Sequence, residues 1–321
     1  MPRLHLHAGL TAAAAAIAAL VAGCASGGAQ VPGGTLEKPD LTVAVVPAVD
    51  SAGFFVALRQ GLFAAQGLRI RYVPAISSET VIAAQEAGEY DITAGNYVSY
   101  IQAAANGRAR LQIIAEGSTM QAGDQVVYTA PGSPVTTIAQ LKGRRVAINA
   151  PMNINYLLVA SVLAEHGIPP SAVRFVPVPF PAMGQALKSR QVAAAAIPEP
   201  FASEYAQSIG ATELFDTGQG ATQDFPILGY VVTRAWALRY PATLAAFVRA
   251  LEQGQRIADT NREAVEAAMR QFTGISGVTA SVMALDTYPL GIDRIRLQRV
   301  PDVMRQFGLL TQPFAITSML G

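Results

Sequence analysis

The chain has 321 residues, of which 51% are hydrophobic, and its 23 Lys and Arg against 22 Asp and Glu give a formal net charge of +1. This near balance, without a run of Lys or Arg, argues against nucleic acid as a partner. One cysteine and three histidines supply little for a thiolate nucleophile, a disulfide or a zinc site. We therefore expect no metal and no other cofactor.

Residues 1–40 are predicted to be a processing signal followed by a tether. The nearly wholly apolar run over residues 8–22 spans roughly 22 Å as a helix, short of the ~30 Å core of a bilayer, so a secretory signal fits better than a membrane span. The signal (residues 1–23) ends in LVAGC, which is similar to a bacterial lipobox and makes Cys24 the expected site of lipidation. An ordinary signal with an incidental cysteine is the alternative. Residues 24–40 are rich in Gly, Ser and Pro and are predicted to be flexible.

Removal of the signal would also remove His5 and His7 and leave His166 as the histidine of the mature chain. His166 ends a predicted helix beside Gly167, where an imidazole can bond the last carbonyls. With Cys24 lipidated, no thiol remains. The commonest pairs of nucleophile and base are therefore missing.

Strands alternate with helices in two stretches of the remaining chain of about 280 residues, which suffices for one large or two modest domains. In the first stretch, LTVAVV, LRIRYVPAI, YDITAG, LQIIAEG and QVVYTA are predicted strands; in the second, RRVAIN, RFVPVP and VAAAAI. Such alternation predicts mainly parallel sheets flanked by helices. A further strand, ILGYVVTR, precedes helices predicted over residues 241–259, 262–272, 278–286 and 293–307.

These patterns predict an α/β protein of two similar lobes with a cleft between them. Lobe 1 is expected over residues 41–129 and 229–321, and lobe 2 over residues 130–228. Ligands of parallel sheets bind beyond the carboxyl ends of the strands. The candidate ligand-binding residues at these ends are Asp50, Ser51, Ser78, Asn96, Tyr97, Ser118, Asn153, Asn155, Phe180, Glu199, Phe201 and Asp224.

The charge of the predicted cleft indicates a class of ligand. Its loops carry no Lys or Arg. The acidic residues in these loops are Asp50, Glu79, Glu116, Glu199 and Asp224. Amides suit a heterocycle edge, and Tyr97, Phe180, Phe201 and Phe225 can stack on a ring. We expect a neutral, zwitterionic or weakly basic solute. The alternative for each residue is local: helix caps, turn formers or core.

Several motifs, in order, carry a family resemblance. They are Phe54-Phe55-Val56-Ala57 followed by GLFAAQGL, AGEYDITAG with Asp91, LKGRRVAI, and IPEPF with Glu199 and Pro200. The mature chain resembles the solute-binding proteins of ABC importers for nitrate, sulfonates, taurine and thiamine-pyrimidine precursors. The resemblance implies a two-lobe class II periplasmic-binding-protein fold, no catalysis, and a monomer that works with permease and ATPase subunits.

The sequence departs from the pattern of this family at several positions. Ala193 stands where the family often has Asp, Arg190 where it often has Gly, and Pro198 and Phe201 where it often has Trp. An amide-bearing loop, Met152-Asn153-Ile154-Asn155, replaces one that often carries Ser or Thr. The choice between a sulfonate and a pyrimidine solute therefore stays open.

The predicted function is capture of a small organic solute by a lipoprotein outside the cytoplasm, held to the membrane through its lipid alone. A thiamine-pyrimidine-precursor-like heterocycle, taurine and a sulfonate are the candidate solutes. The alternatives are an enzyme of thiamine-pyrimidine synthesis on the same fold, a ligand-free adhesin, and a solute sensor that signals to a partner protein.

Overall fold

The structure, a computed structural model, describes residues 35–321. The predicted signal peptide, Cys24 and most of the predicted tether lie outside the described residues. In the part that is described, no helix is both long and apolar enough to cross a membrane.

Within residues 35–321, ten strands form two five-stranded sheets. The strands are β1 (Asp40–Val45), β2 (Arg69–Pro74), β3 (Ile92–Asn96), β4 (Leu111–Thr119), β5 (Gln125–Thr129), β6 (Arg145–Ile148), β7 (Arg174–Pro177), β8 (Ala194–Pro198), β9 (Thr212–Asp216) and β10 (Pro226–Thr233).

The two sheets share one arrangement. The first has the order β2-β1-β3-β10-β4 and the second β7-β6-β8-β5-β9. In each sheet the first three strands are parallel, and the fourth is antiparallel to both of its neighbours. Four strands of each sheet therefore run in one direction, which confirms the predicted mainly parallel α/β class.

The lobe boundaries differ from those expected. Strand β5 was assigned to lobe 1, but it pairs with β8 and β9 in the second sheet. Residues 226–228 were assigned to lobe 2, but they belong to β10 in the first sheet. The chain crosses before each antiparallel strand, a feature that hydrophobic patterns do not reveal. Here lobe 1 denotes residues 35–119 and 226–321, lobe 2 denotes residues 125–216, and the crossings are residues 120–124 and 217–225.

Twelve α-helices surround the sheets in the described part of the chain. They are α1 (Ala52–Arg59), α2 (Leu62–Ala65), α3 (Ser78–Glu86), α4 (Tyr97–Ala105), α5 (Ile154–Glu165), α6 (Phe180–Lys188), α7 (Phe201–Ile209), α8 (Arg234–Arg239), α9 (Pro241–Thr260), α10 (Arg262–Thr273), α11 (Gly277–Val282) and α12 (Arg294–Gln306).

The C-terminal helices pack on lobe 1 through aliphatic side chains and two aromatic pairs. Phe247 of α9 stacks on Phe63 and Phe272 of α10 stacks on Phe55, with ring centroids 5.0 Å apart in both pairs. Such pairs contribute about 0.5–1.5 kcal/mol beyond the area they bury. The helix expected over residues 278–286 ends at Val282 instead. Beyond it, Thr287 forms two backbone hydrogen bonds with Thr119, of 2.9 and 3.2 Å.

The two lobes are in contact with each other. Ile154 and Leu157 of α5 belong to the hydrophobic core of lobe 1. Val46, which follows β1, lies in one apolar cluster with Phe180 of α6. The Val49 amide donates to the Glu199 carbonyl oxygen across the two lobes at 3.0 Å. The lobes are therefore closed on each other.

Candidate functional site: the cleft between the lobes

The carboxyl ends of β1, β3, β6 and β8 meet at a small cavity between the lobes. Its volume is about 30 Å³, which is about the volume that one molecule occupies in liquid water. A cavity that holds benzene measures about 150 Å³. The residues that line it are Val46, Asp50, Ser78, Gly95, Asn96, Gln125, Asn149, Ile154, Asn155, Phe180, Pro198 and Leu228. None of these lining residues is Lys or Arg.

Lobe 1 contributes Asp50, Ser78 and Asn96 to this cavity. The backbone and side-chain nitrogens of Asn96 donate to Ser78 Oγ at 2.8 and 2.9 Å. Asn96 Oδ1 accepts from the Ser99 amide at 2.9 Å and so caps α4. Gly95 allows this contact, because a Cβ there would lie 2.3 Å from Ser78 Oγ.

Lobe 2 contributes amide side chains whose orientations are fixed by backbone N–H groups. The Asn149 amide donates to Asn155 Oδ1 at 3.3 Å, so Asn155 Nδ2 is the donor in its 2.7 Å bond to Gln125 Oε1. The Tyr156 amide likewise donates to Asn153 Oδ1, and Asn153 Nδ2 donates to Asn149 Oδ1 at 2.6 Å. Because each oxygen already accepts, the free ends are Gln125 Nε2 and Asn149 Nδ2.

The two walls therefore offer opposite hydrogen-bonding groups. Among the described residues, Gln125 Nε2 and Asn149 Nδ2 donate to no protein atom, so lobe 2 presents donors. In lobe 1, the carboxyl group of Asp50 lines the cavity, and one of its oxygens accepts from Ser51 Oγ at 3.1 Å. A solute with a donor at one end and an acceptor at the other matches this arrangement.

A group of buried polar side chains lies next to Asp50, where the chain crosses between the lobes. We call it the hinge acidic cluster; it consists of Ser118, Asp124 and Asp286, which are 0, 1 and 6% exposed. Their side-chain oxygens have no hydrogen-bond partner within residues 35–321. An unsatisfied buried polar group costs about 1–3 kcal/mol, more if it is charged. These buried oxygens therefore cost folding free energy.

Burial controls the protonation of these acids. It raises the pKa of Asp50 to about 7. It also raises the pKa of Asp286 to about 8, with the negative charge of Asp50 as a second cause. The pKa of Asp124 lies well above its ordinary value, first through burial and then through the charge of Asp286. Around neutral pH the group thus carries less negative charge than its carboxyl count implies.

The hinge acidic cluster was not predicted from the sequence. Asp124 follows a strand in a crossing whose position was misplaced, and Asp286 was assigned to a helix that ends four residues earlier. The one signal in the sequence is the apolar strand that directly follows Asp124, because an acidic residue next to a buried strand can itself be buried. No three His, Cys, Asp or Glu side chains in residues 35–321 are arranged to hold a metal ion.

Five of the twelve candidate residues line the cavity together: Asp50, Ser78, Asn96, Asn155 and Phe180. Others lie beside it. Ser51 Oγ donates to the Val46 carbonyl at 3.1 Å, and Asn153 caps α5. Phe201 stacks on Phe180 with ring centroids 5.9 Å apart. Glu199 accepts from Ser203 and, at 3.2 Å, from the Ala284 amide of lobe 1.

The remaining candidates are placed away from the cavity. Tyr97 is fully buried in the core of lobe 1, and Ser118 belongs to the hinge acidic cluster. Asp224 is exposed and accepts from Gln121 at 3.0 Å. One acidic and one aromatic residue expected in the cleft form structural contacts instead. Glu116 forms an ion pair of 3.0 Å with Arg296, and the ring of Phe225 lies under the Arg299 guanidinium.

Two further residues singled out in the sequence have structural contacts. Asp91 accepts from the Thr42 amide at 2.9 Å and from Trp236 Nε1 at 2.8 Å. The Nδ1 atom of His166 lies 2.9 Å from the Val162 carbonyl oxygen at the end of α5. Asp91 thus ties strand to helix, and His166 caps a helix as its position predicted.

Comparison with known families identifies this arrangement. A profile of the NMT1-like family matches residues 34–271 of the chain. The chain belongs to the NMT1-like family. The match covers lobe 2 entirely and lobe 1 up to α10, and so includes every residue that lines the cavity. A search of curated proteins found no match to this NMT1-like chain.

Solved structures share the fold of this NMT1-like protein. The alkanesulfonate-binding protein SsuA from Xanthomonas axonopodis pv. citri, bound to MOPS, superposes with a TM-score of 0.77 at 16% identity over 89% of this chain and 99% of its own. The periplasmic nitrate-binding protein NrtA from Synechocystis PCC 6803 gives 0.73 at 15% identity, over 89% and 85%. The desulfurization enzyme DSZB gives 0.66 at 17%, over 88% and 96%. At these identities the likeness shows the periplasmic-binding-protein fold, as predicted.

Proposed function

We propose that this protein is the extracytoplasmic solute-binding subunit of an ABC importer, with a neutral, zwitterionic or weakly basic organic solute. The family membership and the likeness to binding proteins such as SsuA and NrtA support the transport role. The observation that carries the ligand class is the cavity itself, which has a carboxyl on one wall, amide donors on the other and no cationic side chain.

Asp50 makes a simple anion the less favourable solute. A bound nitrate or alkanesulfonate would have only neutral donors, without a guanidinium fork, and would lie near a carboxyl group. An ammonium or a ring N–H would instead donate to Asp50, while its acceptor end meets Gln125 Nε2 or Asn149 Nδ2. Aminopyrimidine-type heterocycles and taurine both have this pairing of groups.

Binding would require the lobes to separate and close again. A cavity of about 30 Å³ holds no ring, because a benzene-sized ligand needs about 150 Å³. Both walls contact the solute, so a solute with higher affinity for a closed form shifts the population toward it. The two crossings, residues 120–124 and 217–225, are the hinge in this proposal.

A ligand panel tests the proposed function. Native mass spectrometry of the freshly purified protein shows any retained solute. A thermal-shift panel then compares aminopyrimidines, amines, taurine, alkanesulfonates and nitrate at one ionic strength. A ligand at a hundredfold excess over its Kd stabilises the fold by about 2.7 kcal/mol, which is several degrees of melting midpoint. A shift with nitrate or a simple alkanesulfonate alone would contradict the ligand class but leave solute binding intact.

A matched pair of variants locates the site. Asn155→Ala should free Gln125 to rotate and lower solute affinity by about fivefold to tenfold, since a hydrogen bond is worth roughly 1 kcal/mol. Asn106→Ala, at an exposed position after α4, should bind normally. Equal binding by both variants would place the solute elsewhere. Turnover of the panel compounds would favour an enzyme, since the desulfurization enzyme DSZB shares the fold.

The membrane anchor is a separate part of the proposal. It rests on the LVAGC sequence at the end of the apolar run. Cys24→Ser should release the protein from the membrane fraction without changing solute affinity. Intact mass spectrometry of the wild-type protein should show attached acyl chains; a soluble wild-type protein without them would rule out the anchor.

A further inference from the structure

A second cavity lies at the opposite end of the second sheet from the cleft. It is open to solvent, measures about 370 Å³, and is bordered by the amino ends of β6 and β7 and by the residues that lead into β8. Strand β6 has four residues, which at about 3.3 Å each places this cavity roughly 13 Å from the cleft. The two cavities are therefore distinct sites.

Arginine dominates the lining of this cavity. Four of its twelve lining residues are arginines, Arg144, Arg145, Arg174 and Arg190, and none is Asp or Glu. All four arginines are exposed, and within residues 35–321 none of their side chains forms an ion pair or a hydrogen bond. Since the chain as a whole carries a net charge of only +1, this local excess is not a property of the whole surface.

The fold holds these like charges together. Arg145 and Arg174 are direct partners in the parallel pairing of β6 with β7, so their side chains leave the same face of the sheet side by side. Like charges directly opposite each other on neighbouring strands are destabilising. A bound anion would remove this repulsion, whereas nothing in the described protein does.

Arg190 reaches the cavity from a backbone conformation that favours glycine. Its φ angle is +57°, in the left-handed region that a side chain with a Cβ occupies at a cost. Its side chain forms no hydrogen bond or ion pair within the described residues, while its backbone closes the end of α6, where the Gln191 amide donates to the Ala186 carbonyl at 3.0 Å. Arg190 is nevertheless one of the residues that line the cavity, and glycine at this position would bring no positive charge to it.

We propose that this arginine cavity binds a small polyanion whose phosphoryl or carboxylate groups carry at least two negative charges. Guanidinium groups bind such groups with paired hydrogen bonds. The cavity volume lies in the range typical of small-molecule sites, about 300–1,000 Å³. A concave site of this size favours a small molecule over a flat macromolecular surface. The proposal is independent of the solute that enters the cleft.

Calorimetric titration at low ionic strength tests the proposal, with inorganic pyrophosphate and citrate as probes and inorganic phosphate as a less charged reference. The full chain with Cys24→Ser avoids interference from lipid. Pyrophosphate or citrate should bind more tightly than phosphate. The double variant Arg145→Gln/Arg174→Gln should lose about tenfold or more in affinity, since two charge-assisted contacts are removed. Arg59→Gln/Arg305→Gln, at exposed positions of lobe 1, should bind like the parent.

A second variant keeps the test valid if the double variant folds poorly. Arg190→Gly should raise the melting midpoint, because glycine adopts the left-handed conformation freely, and should still weaken pyrophosphate binding. A purely structural role would not move these two quantities in opposite directions. No binding of any probe, or equal losses in the lobe 1 control, would overturn the proposal. Arginine-dependent binding to phosphatidylglycerol vesicles without binding of the soluble probes would also overturn it, in favour of a membrane surface.

Discussion

The cleft and the arginine cavity occupy the two ends of the same parallel strands, yet they have opposite character. The cleft is closed, lined by amides and one carboxyl, and lies against the hinge acidic cluster. The arginine cavity is open, and its lining includes four arginines whose side chains form no ion pair within residues 35–321. A formal net charge of +1 conceals this separation of charge. Local charge, and not the sum over the chain, indicates what each end can bind.

Burial makes a second difference between the two regions. Asp124 and Asp286 are buried and Asp50 is half-buried, and burial raises the pKa values of Asp50 and Asp286 to about 7 and about 8, near neutral pH. The arginines of the arginine cavity are exposed, so dissolved ions screen their charges. We therefore expect pH to alter the cleft, and salt to alter the arginine cavity.

The largest expected effect is the dependence of stability on pH. Folding raises the pKa of Asp50 from 3.8 to about 7 and that of Asp286 from 3.8 to about 8, so the folded protein holds more protons than the unfolded chain between these values. The free energy of unfolding should fall as pH rises from about 4 to 8, by an amount on the order of a few kcal/mol. Urea unfolding of the solute-free protein at several pH values measures it.

Asp124→Asn tests the origin of this dependence. The amide is uncharged at all pH values, so the variant should lose less stability toward pH 8 than the wild type. Asp224→Asn, at an exposed position, serves as the control and should keep the wild-type slope. A stability that rises toward pH 8 in the wild type would show that the acids are ionised and satisfied.

The charge of Asp50 gives the next largest effect. Asp50→Asn should weaken binding of an amine-bearing solute about tenfold to a hundredfold, since a contact of this kind is worth about 1–3 kcal/mol. The same change should improve binding of a sulfonate relative to the wild type, because the opposing charge is gone. Titration calorimetry measures both affinities, and Asp302→Asn on the exposed face of α12 is the control. Unchanged preference would mean that Asp50 does not touch the solute.

The smallest effect concerns the repulsion within the arginine cavity. Arg174→Gln should stabilise the solute-free protein by about 0.2–1 kcal/mol at low salt, because it removes one of two like charges on neighbouring strands. The gain should shrink near 0.1 M salt, where charges about 10 Å apart are largely screened. Urea unfolding at two salt concentrations, with Arg59→Gln as control, measures it. A salt-independent loss of stability would show that Arg174 supports the fold through other contacts.

Hydrophobic patterns predicted most strands and helices, and the carboxyl ends of those strands place Asp50, Asn96 and Asn155 at one cavity. Their role in ligand binding stays a prediction. The patterns could not show which sheet β5 joins, because its register with β8 and β9 depends on distant segments. For the same reason Gln125, the first residue of β5, was not a candidate. Strand β9 was not predicted, since TELFD lacks a clear apolar alternation.

The arginine cavity could not be predicted from the sequence for a different reason. Arg145 and Arg174 are 29 positions apart in the chain and meet only through the pairing of β6 with β7. Arg190 was noted merely as a departure from a family pattern. Candidate residues were expected at the carboxyl ends of the strands, where ligands of parallel sheets bind. The arginine cavity lies at the amino ends.

The crossings between the lobes have a consequence for protein engineering. Thr119 at the end of β4 and Pro226 at the start of β10 are register partners in one antiparallel pair, and Thr217 N donates to the Gln125 carbonyl at 2.9 Å. Lobe 2 is thus spliced into what would otherwise be a β-hairpin, with its own two ends adjacent. Lobe 2 is one continuous segment of the chain, but excising it would also remove Ile154 and Leu157 from the core of lobe 1. A reporter domain inserted at the two crossings would respond to a change in the distance between them.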